Sequence, residues 1–139
     1  MKSLQKLTVK KLKIDCWKLF SRYIRLRDCL ATTGTLTDGK CFTCGREYPF
    51  RQLQAGHFVA GRHNGNLFSE RGCHAQCALC NIYNHGNTLE YRRQVIRKYG
   101  IGADEELEKE AAVIRKFTVE ELLALKESLQ LRIKKLEVL

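Results

Sequence analysis

Two cysteine pairs, Cys41-x2-Cys44 and Cys77-x2-Cys80, stand 32 residues apart, and they constrain the fold more than any other feature of the chain. A two-residue spacer lets both sulfurs of a pair face one point. Two such pairs complete a tetrahedral thiolate site, the arrangement that structural zinc prefers. The intervening segment is long enough for a β-hairpin closed by the ion. With thiolates at all four corners no coordination position stays open, so this zinc would staple the fold and not catalyse. Two dithiol redox pairs are the competing reading, but nothing thioredoxin-like surrounds them. A staple suits 139 residues, a length that fits one domain and gains folding energy from a bound metal.

The chain has seven cysteines, an odd number, and its opening "MKSLQKLTVKKLKIDCWKLF" does not read as a signal peptide. Both features favour a reducing compartment over a secreted disulfide scaffold. Cys16 and Cys29 read as small core residues of a first helix, and Cys73 as a buried or spare thiol. No run of 18 apolar residues suggests a membrane span. The formal net charge is +10, and it is unevenly spread: +7 over residues 1–40, +5 over 41–100 and −2 over 101–139. A basic first hundred residues favours a polyanionic partner, nucleic acid first.

The periodicity predicts an amphipathic helix in "VKKLKIDCWKLFSRYIRLRDCL", with Leu12, Cys16, Phe20, Ile24 and Leu26 inward. "TTGTLTDGK" reads as a loop, "FRQLQAGHFVA" and "SERGCHAQC" as strands, and a helix is expected to begin in "ALCNIYNH". "GNTLEYRRQVIRKYG" reads as a helix with Asn87 as N-cap, Glu90 three residues on and Gly100 as its stop. Two C-terminal helices follow, the second opened by the capping box of Thr118 and Glu121. Its apolar stripe of Leu122, Leu125, Leu129, Ile133 and Leu136 packs on its own domain or forms a dimer seam. The expected architecture is α+β in a single domain, 1–139. It comprises a basic N-terminal helix (1–35), a zinc-bound core of two strands and a helix (36–100), and C-terminal helices (101–139).

All four histidines, His57, His63, His74 and His85, lie between or just after the knuckles. Asn81 follows Cys80, and on a helix Asn81 and His85 would share a face able to grip one cation. Carboxylates are scarce nearby, so a hard ion there would take an amide, an imidazole, water and a substrate phosphate. His57 lies in a strand expected to face the helix carrying Asn81, where a neutral imidazole can take a proton from water. His74 reads as a supporting residue. Arg92, Arg93, Arg97 and Lys98 on one helix, Arg62 in the hairpin loop, and Lys11, Arg22 and Arg25 on the first helix are candidate phosphate contacts.

The ordered pieces "CFTC", "AGHF", "HAQCALCN" and "GN…YR" resemble the NinG (Rap) recombination proteins of lambdoid phages. More distantly, CxxC…H…CxxCN is similar to the zinc-clipped HNH (ββα-metal) endonucleases. The resemblance implies an HNH-like fold and a structure-specific endonuclease, dependent on Mg²⁺ or Mn²⁺, that acts on branched DNA such as Holliday junctions and D-loops. It further implies His57 as general base, the four knuckle cysteines on zinc, Asn81 and His85 on the catalytic cation, and a cytoplasmic site in the host cell. Two copies for paired cuts and recombination proteins as partners are also expected. The alternative is a zinc-finger module that binds DNA without cutting it. Two positions depart from the HNH pattern. The place of the metal-binding Asp before the base is Gly56, and the place of the middle asparagine is Gly72, with Asn64 or Asn66 as substitute amides.

Overall fold

The structure, a computed structural model, describes residues 8–61 and 63–139. It opens with α1 (Val9–Thr33), the predicted amphipathic helix. Thr8 caps it by accepting from the Lys11 N–H, and Gly34 closes it in the left-handed region at φ 76°. Leu12, Cys16, Phe20, Ile24, Leu26 and Cys29 are buried along one face.

Two small antiparallel hairpins follow. β1 (Asp38–Lys40) pairs with β2 (Glu47–Pro49), and the first knuckle, Cys41–Cys44, forms the bend between them. The sequence reading made residues 32–40 a loop. The strand there is three residues long and polar, so no period marks it. A 3-10 turn (Phe50–Gln52) leads into β3 (Leu53–His57), which pairs with β4 (Cys73–Cys77). The register sets Leu53 opposite Cys77 and His57 opposite Cys73. One end of this hairpin therefore carries the clip and the other carries His57, four residues along, or about 13 Å at strand rise.

After β4 a single π-helical turn (Leu79–Tyr83) gives way to a break in which His85 and Asn87 both take positive φ. The helix α2 (Thr88–Tyr99) begins only there. The expected continuous helix through Asn81 and His85 is thus corrected: the chain folds back between them. Asn87 does precede α2, but in the left-handed region and with no capping bond from its side chain. Glu90 meets Arg93 and Gln94 instead of completing a capping box. Gly100 ends α2 as predicted, its N–H bonded to the Ile96 carbonyl.

Two more helices, α3 (Ala103–Ala112) and α4 (Val119–Glu137), complete the chain. Thr118 caps α4 through the Glu121 N–H. The α4 stripe packs inward on its own chain. Leu122 clusters with Leu12, Cys16, Leu67 and Phe117, and Leu129 with Phe20, Ile24 and Cys73. Cys73, Cys16 and Cys29 are buried thiols as predicted, and the Cys16 thiol donates to the Leu122 carbonyl at 3.2 Å. The architecture is a mixed α+β fold in which the β3–β4 hairpin lies between α1 on one face and Tyr91 and Val95 of α2 toward the other. No helix among the described residues is long and apolar enough to cross a membrane.

Candidate functional site

At the clip, one sulfur each from Cys41, Cys44, Cys77 and Cys80 lies within 4.8 Å of the other three. A tetrahedron with arms of ~2.3 Å places sulfurs about 3.8 Å apart, and Cys44 and Cys77 sit at 3.8 Å. The four residues therefore fit a zinc ion. Cys41, Cys77 and Cys80 are buried and Cys44 is exposed. Burial works against a Cys41 thiolate, yet N–H groups of Cys44, Cys77 and Thr43 and the Thr43 hydroxyl bring its pKa down to about 7. Burial and the neighbouring thiols push Cys44 up to about 12. The Asn87 amide donates to Cys80 Sγ at 3.5 Å, which accounts for the use of this side chain at the clip and not as a cap.

A charged brace holds β4 to α1. Asp28 accepts from the Ala75 N–H at 2.8 Å, from Arg27 at 2.8 Å and from His74 Nδ1 at 2.9 Å. Arg27 also donates to the carbonyls of Glu70 and Cys73. His74 is buried, stacks on Phe42 at 3.9 Å between ring centres and meets the Tyr99 hydroxyl at 2.8 Å. Burial pushes its pKa below the ordinary imidazole value, so the neutral ring donates to Asp28 and accepts from Tyr99. Burial alone would raise Asp28, but His74 and Arg27 outweigh it and hold the carboxyl at about 2. His74 thus ties β4 to Asp28 of α1 and Tyr99 of α2.

Along the hairpin, from Asn81 beside the clip's Cys80 to His57 at the far end, a cleft of about 370 Å³ is lined by Ala55, His57, Asn81, His85 and Gly86, among others. The three predicted residues meet here, although not as predicted. Asn81 stands in the π-helical turn, and His85 reaches the cleft by the chain reversal after it. His57 stacks on Trp17 of α1, with ring centres 5.2 Å apart and planes at 22°. Its Nε2 lies 3.0 Å from the Leu67 carbonyl. A carbonyl only accepts, so Nε2 is the nitrogen that carries hydrogen toward Leu67.

Leu67 is buried in the α1–α4 cluster, and this anchors its carbonyl. The loop carrying it is also tied down by Asn66 donating to the Val59 carbonyl at 2.9 Å and Asn64 donating to the Arg115 carbonyl at 3.0 Å. A β-carbon on Gly65 would collide with backbone oxygens at the end of α3. The C-terminal helices therefore help aim the imidazole. Of the two substitute amides, Asn66 is buried inside the loop, whereas Asn64 braces it to the C-terminal segment and accepts from Lys13. Gly72 turns the chain into β4.

The basic candidates fall into different situations. Arg25 is half-buried beside Phe50 and lines a neighbouring groove with Trp17, Gln54, Ala55 and Asn81; among the described residues no carboxylate pairs with it. Burial and nearby Arg22 lower its pKa. Arg22 pairs with Glu137 and Lys11 with Asp15. Arg92 is bound to Asp104 and Glu108 of α3 and lies over Phe58, so it serves the α2–α3 contact. Arg93 pairs with Glu90, Arg97 reaches Gln94, and Lys98 lies over the Tyr99 ring. Arg62 lies outside the described residues.

Sequence reasoning missed Trp17, the Leu67 carbonyl and the amide Gln54, which accepts from Asn81 at 2.8 Å. A lone Trp on a basic helix face was the one available signal. A backbone carbonyl supplied from ten residues away leaves none.

No solved structure matches this chain. Curated relatives do. Protein ninG of Salmonella phage P22 is 36% identical over 100 residues, which is 71% of this chain and 48% of that protein. Protein ninG of Escherichia phage lambda is 35% identical over 100 residues, with 71% and 48% covered. Protein ninG of Enterobacteria phage H19B is 34% identical over 109 residues, with 75% and 47% covered. The chain thus spans about half the length of the curated relatives it matches. The family model described as Bacteriophage Lambda NinG protein matches residues 2–138, nearly the whole chain, and the chain belongs to the NinG family.

Proposed function

We propose that this chain is a structure-specific DNA endonuclease of the HNH type that hydrolyses phosphodiesters in branched recombination intermediates, with Mg²⁺ or Mn²⁺ as its catalytic ion. The observation that carries this reading is that His57, Asn81 and His85 line one cleft along a hairpin that a zinc-fitting clip closes at one end. Asn81 and His85 offer the amide and imidazole that would hold the cation. Such a cation, when bound, stabilises charge on the reacting phosphate and leaving oxygen.

The remaining work falls to the chain itself. The Leu67 carbonyl fixes the His57 tautomer, so Nδ1 takes the proton from the attacking water. It also stabilises the imidazolium that results. Stacking on Trp17 holds the ring plane. Arg25 stands beside Asn81 as a cation for an adjacent phosphate, and Arg22 on α1 and Arg97 and Lys98 on α2 are further candidate phosphate contacts. Phosphoryl transfer depends chiefly on positioning and charge, which so small a set can provide. Selection of Holliday junctions or D-loops would come from shape, and two copies of the chain would give paired cuts inside the infected cell. Recombination proteins would be its further partners.

The deciding experiment compares wild type with His57→Ala on a labelled four-way junction with Mg²⁺ or Mn²⁺. Cleavage by wild type, with binding but no cutting by the variant, supports the reading. If neither cuts with any divalent ion while both bind, the chain is a DNA-binding zinc module.

A further inference from the structure

Buried side-chain oxygens normally meet a donor. Among the described residues Gln76 Oε1 does not, and Gln76 is fully buried on β4. The orientation of its amide is not free. Nε2 donates to the Gly86 carbonyl at 3.0 Å and to Thr43 Oγ1 at 3.1 Å. A flipped amide would set two oxygens against each other at Gly86, so Oε1 must point the other way. It points over Gly56. A β-carbon there would overlap Oε1 and lie 2.8 Å from Asn81 Oδ1. Asn81 has likewise turned its Nδ2 away, to Gln54 Oε1 at 2.8 Å. Two amide oxygens thus converge beside the His57 cleft, each with its own N–H group engaged elsewhere. Two acceptor oxygens brought this close repel unless a cation or a water lies between them.

We propose that Gln76 Oε1 is an oxygen ligand of the divalent cation held by Asn81 and His85, an inference that rests on the cation-dependent reading above. Residue 56 is glycine because the space of its side chain is filled from the neighbouring strand. The ligand that a side chain at 56 would have supplied comes from position 76 instead. Amide oxygens suit a hard ion of the Mg²⁺ class. Being uncharged, they make a site that gains much of its affinity from the substrate phosphate.

The test uses the zinc-loaded full chain and Mn²⁺ alone, with free Mn²⁺ followed by electron paramagnetic resonance. Wild type should bind one Mn²⁺ that Asn81→Ala loses. Gln76→Ala should weaken binding on the order of tenfold or more. Adding Gly56→Asp to Gln76→Ala places a carboxylate in the vacated space and should restore affinity, whereas Gly56→Ala with Gln76→Ala fills the space without an oxygen and should stay weak. Zinc content and circular dichroism confirm that each variant is folded. If Gln76→Ala binds like wild type, or if the added aspartate rescues no better than alanine, a water satisfies Gln76 and this proposal fails while the cation site survives. If wild type has no site sensitive to Asn81→Ala, the cation-dependent reading fails with it.

Discussion

The two ends of the β3–β4 hairpin are built by different means. At the clip end, four thiols with the geometry of a metal tetrahedron close the fold, three of them buried. At the His57 end, beside an open cleft, the imidazole is held by stacking on Trp17 and by the Leu67 carbonyl. Closed coordination gives stability and leaves no position for a substrate. Individually weak neutral contacts give direction and leave room for one. The lesson is a division of labour along five residue pairs: the end that holds the fold has nothing to offer a phosphate, and the end that offers something is supported from elsewhere, by α1 and the C-terminal helices.

That contrast can be broken first at the clip. Chelation, or Cys77→Ser, should unfold the hairpin outright. The apparent free energy of structural zinc, on the order of 10 kcal/mol, is comparable with the whole stability of a small domain. Circular dichroism before and after zinc removal reads this directly, and a fold that survives chelation would remove the basis of the comparison. At the other end, His57→Ala should leave the melting temperature within a few degrees of wild type while cutting cleavage by about 10²- to 10⁴-fold. Junction affinity should stay within about twofold, as measured by gel shift beside single-turnover kinetics.

The brace between the two ends comes next. The Asp28 carboxyl titrates at about 2 in the fold against an ordinary 3.8. Its contribution is therefore present above the unfolded value and disappears as pH falls through the folded one. Asp28→Asn should cost on the order of 2 kcal/mol in denaturant unfolding at neutral pH, with this carboxyl's share unchanged down to about pH 5. A loss appearing only at alkaline pH would refute the assignment. The smallest effect concerns the cations. Arg25→Ala should reduce the slope of log affinity against log salt by about 1, the value for one phosphate contact. Arg92→Ala, whose guanidinium is engaged by α3, should lower the melting temperature slightly and leave that slope unchanged. Equal slopes for the two variants would erase the distinction drawn between them.

The clip was legible because two-residue spacing is a local property that brings sulfurs together with little help from the rest of the chain. The long helices were legible for the same reason. Leu12, Cys16, Phe20 and Ile24 recur at helical spacing, and Gly100 and Thr118 mark ends by their own conformational or hydrogen-bonding character. The β1 strand was not legible, because three polar residues carry no period and are defined only by pairing with Glu47–Pro49. The break between Asn81 and His85 was hidden as well, since nothing in "NIYNH" announces a π turn followed by two residues at positive φ. His57 was found by its surroundings in sequence, but its partners Trp17 and Leu67 lie 40 residues before it and ten after.

By itself, then, the sequence determined the four-cysteine cluster, the helices, the charge imbalance and the residue types available for chemistry. These follow from spacing, periodicity and composition, which act over a few neighbouring residues. Only the tertiary structure decided which nitrogen of His57 faces the Leu67 carbonyl, what fills the side-chain space at position 56, and which arginines are already engaged. Those are questions of orientation, and an orientation is set by whichever distant donor, acceptor or ring the folded chain brings within reach.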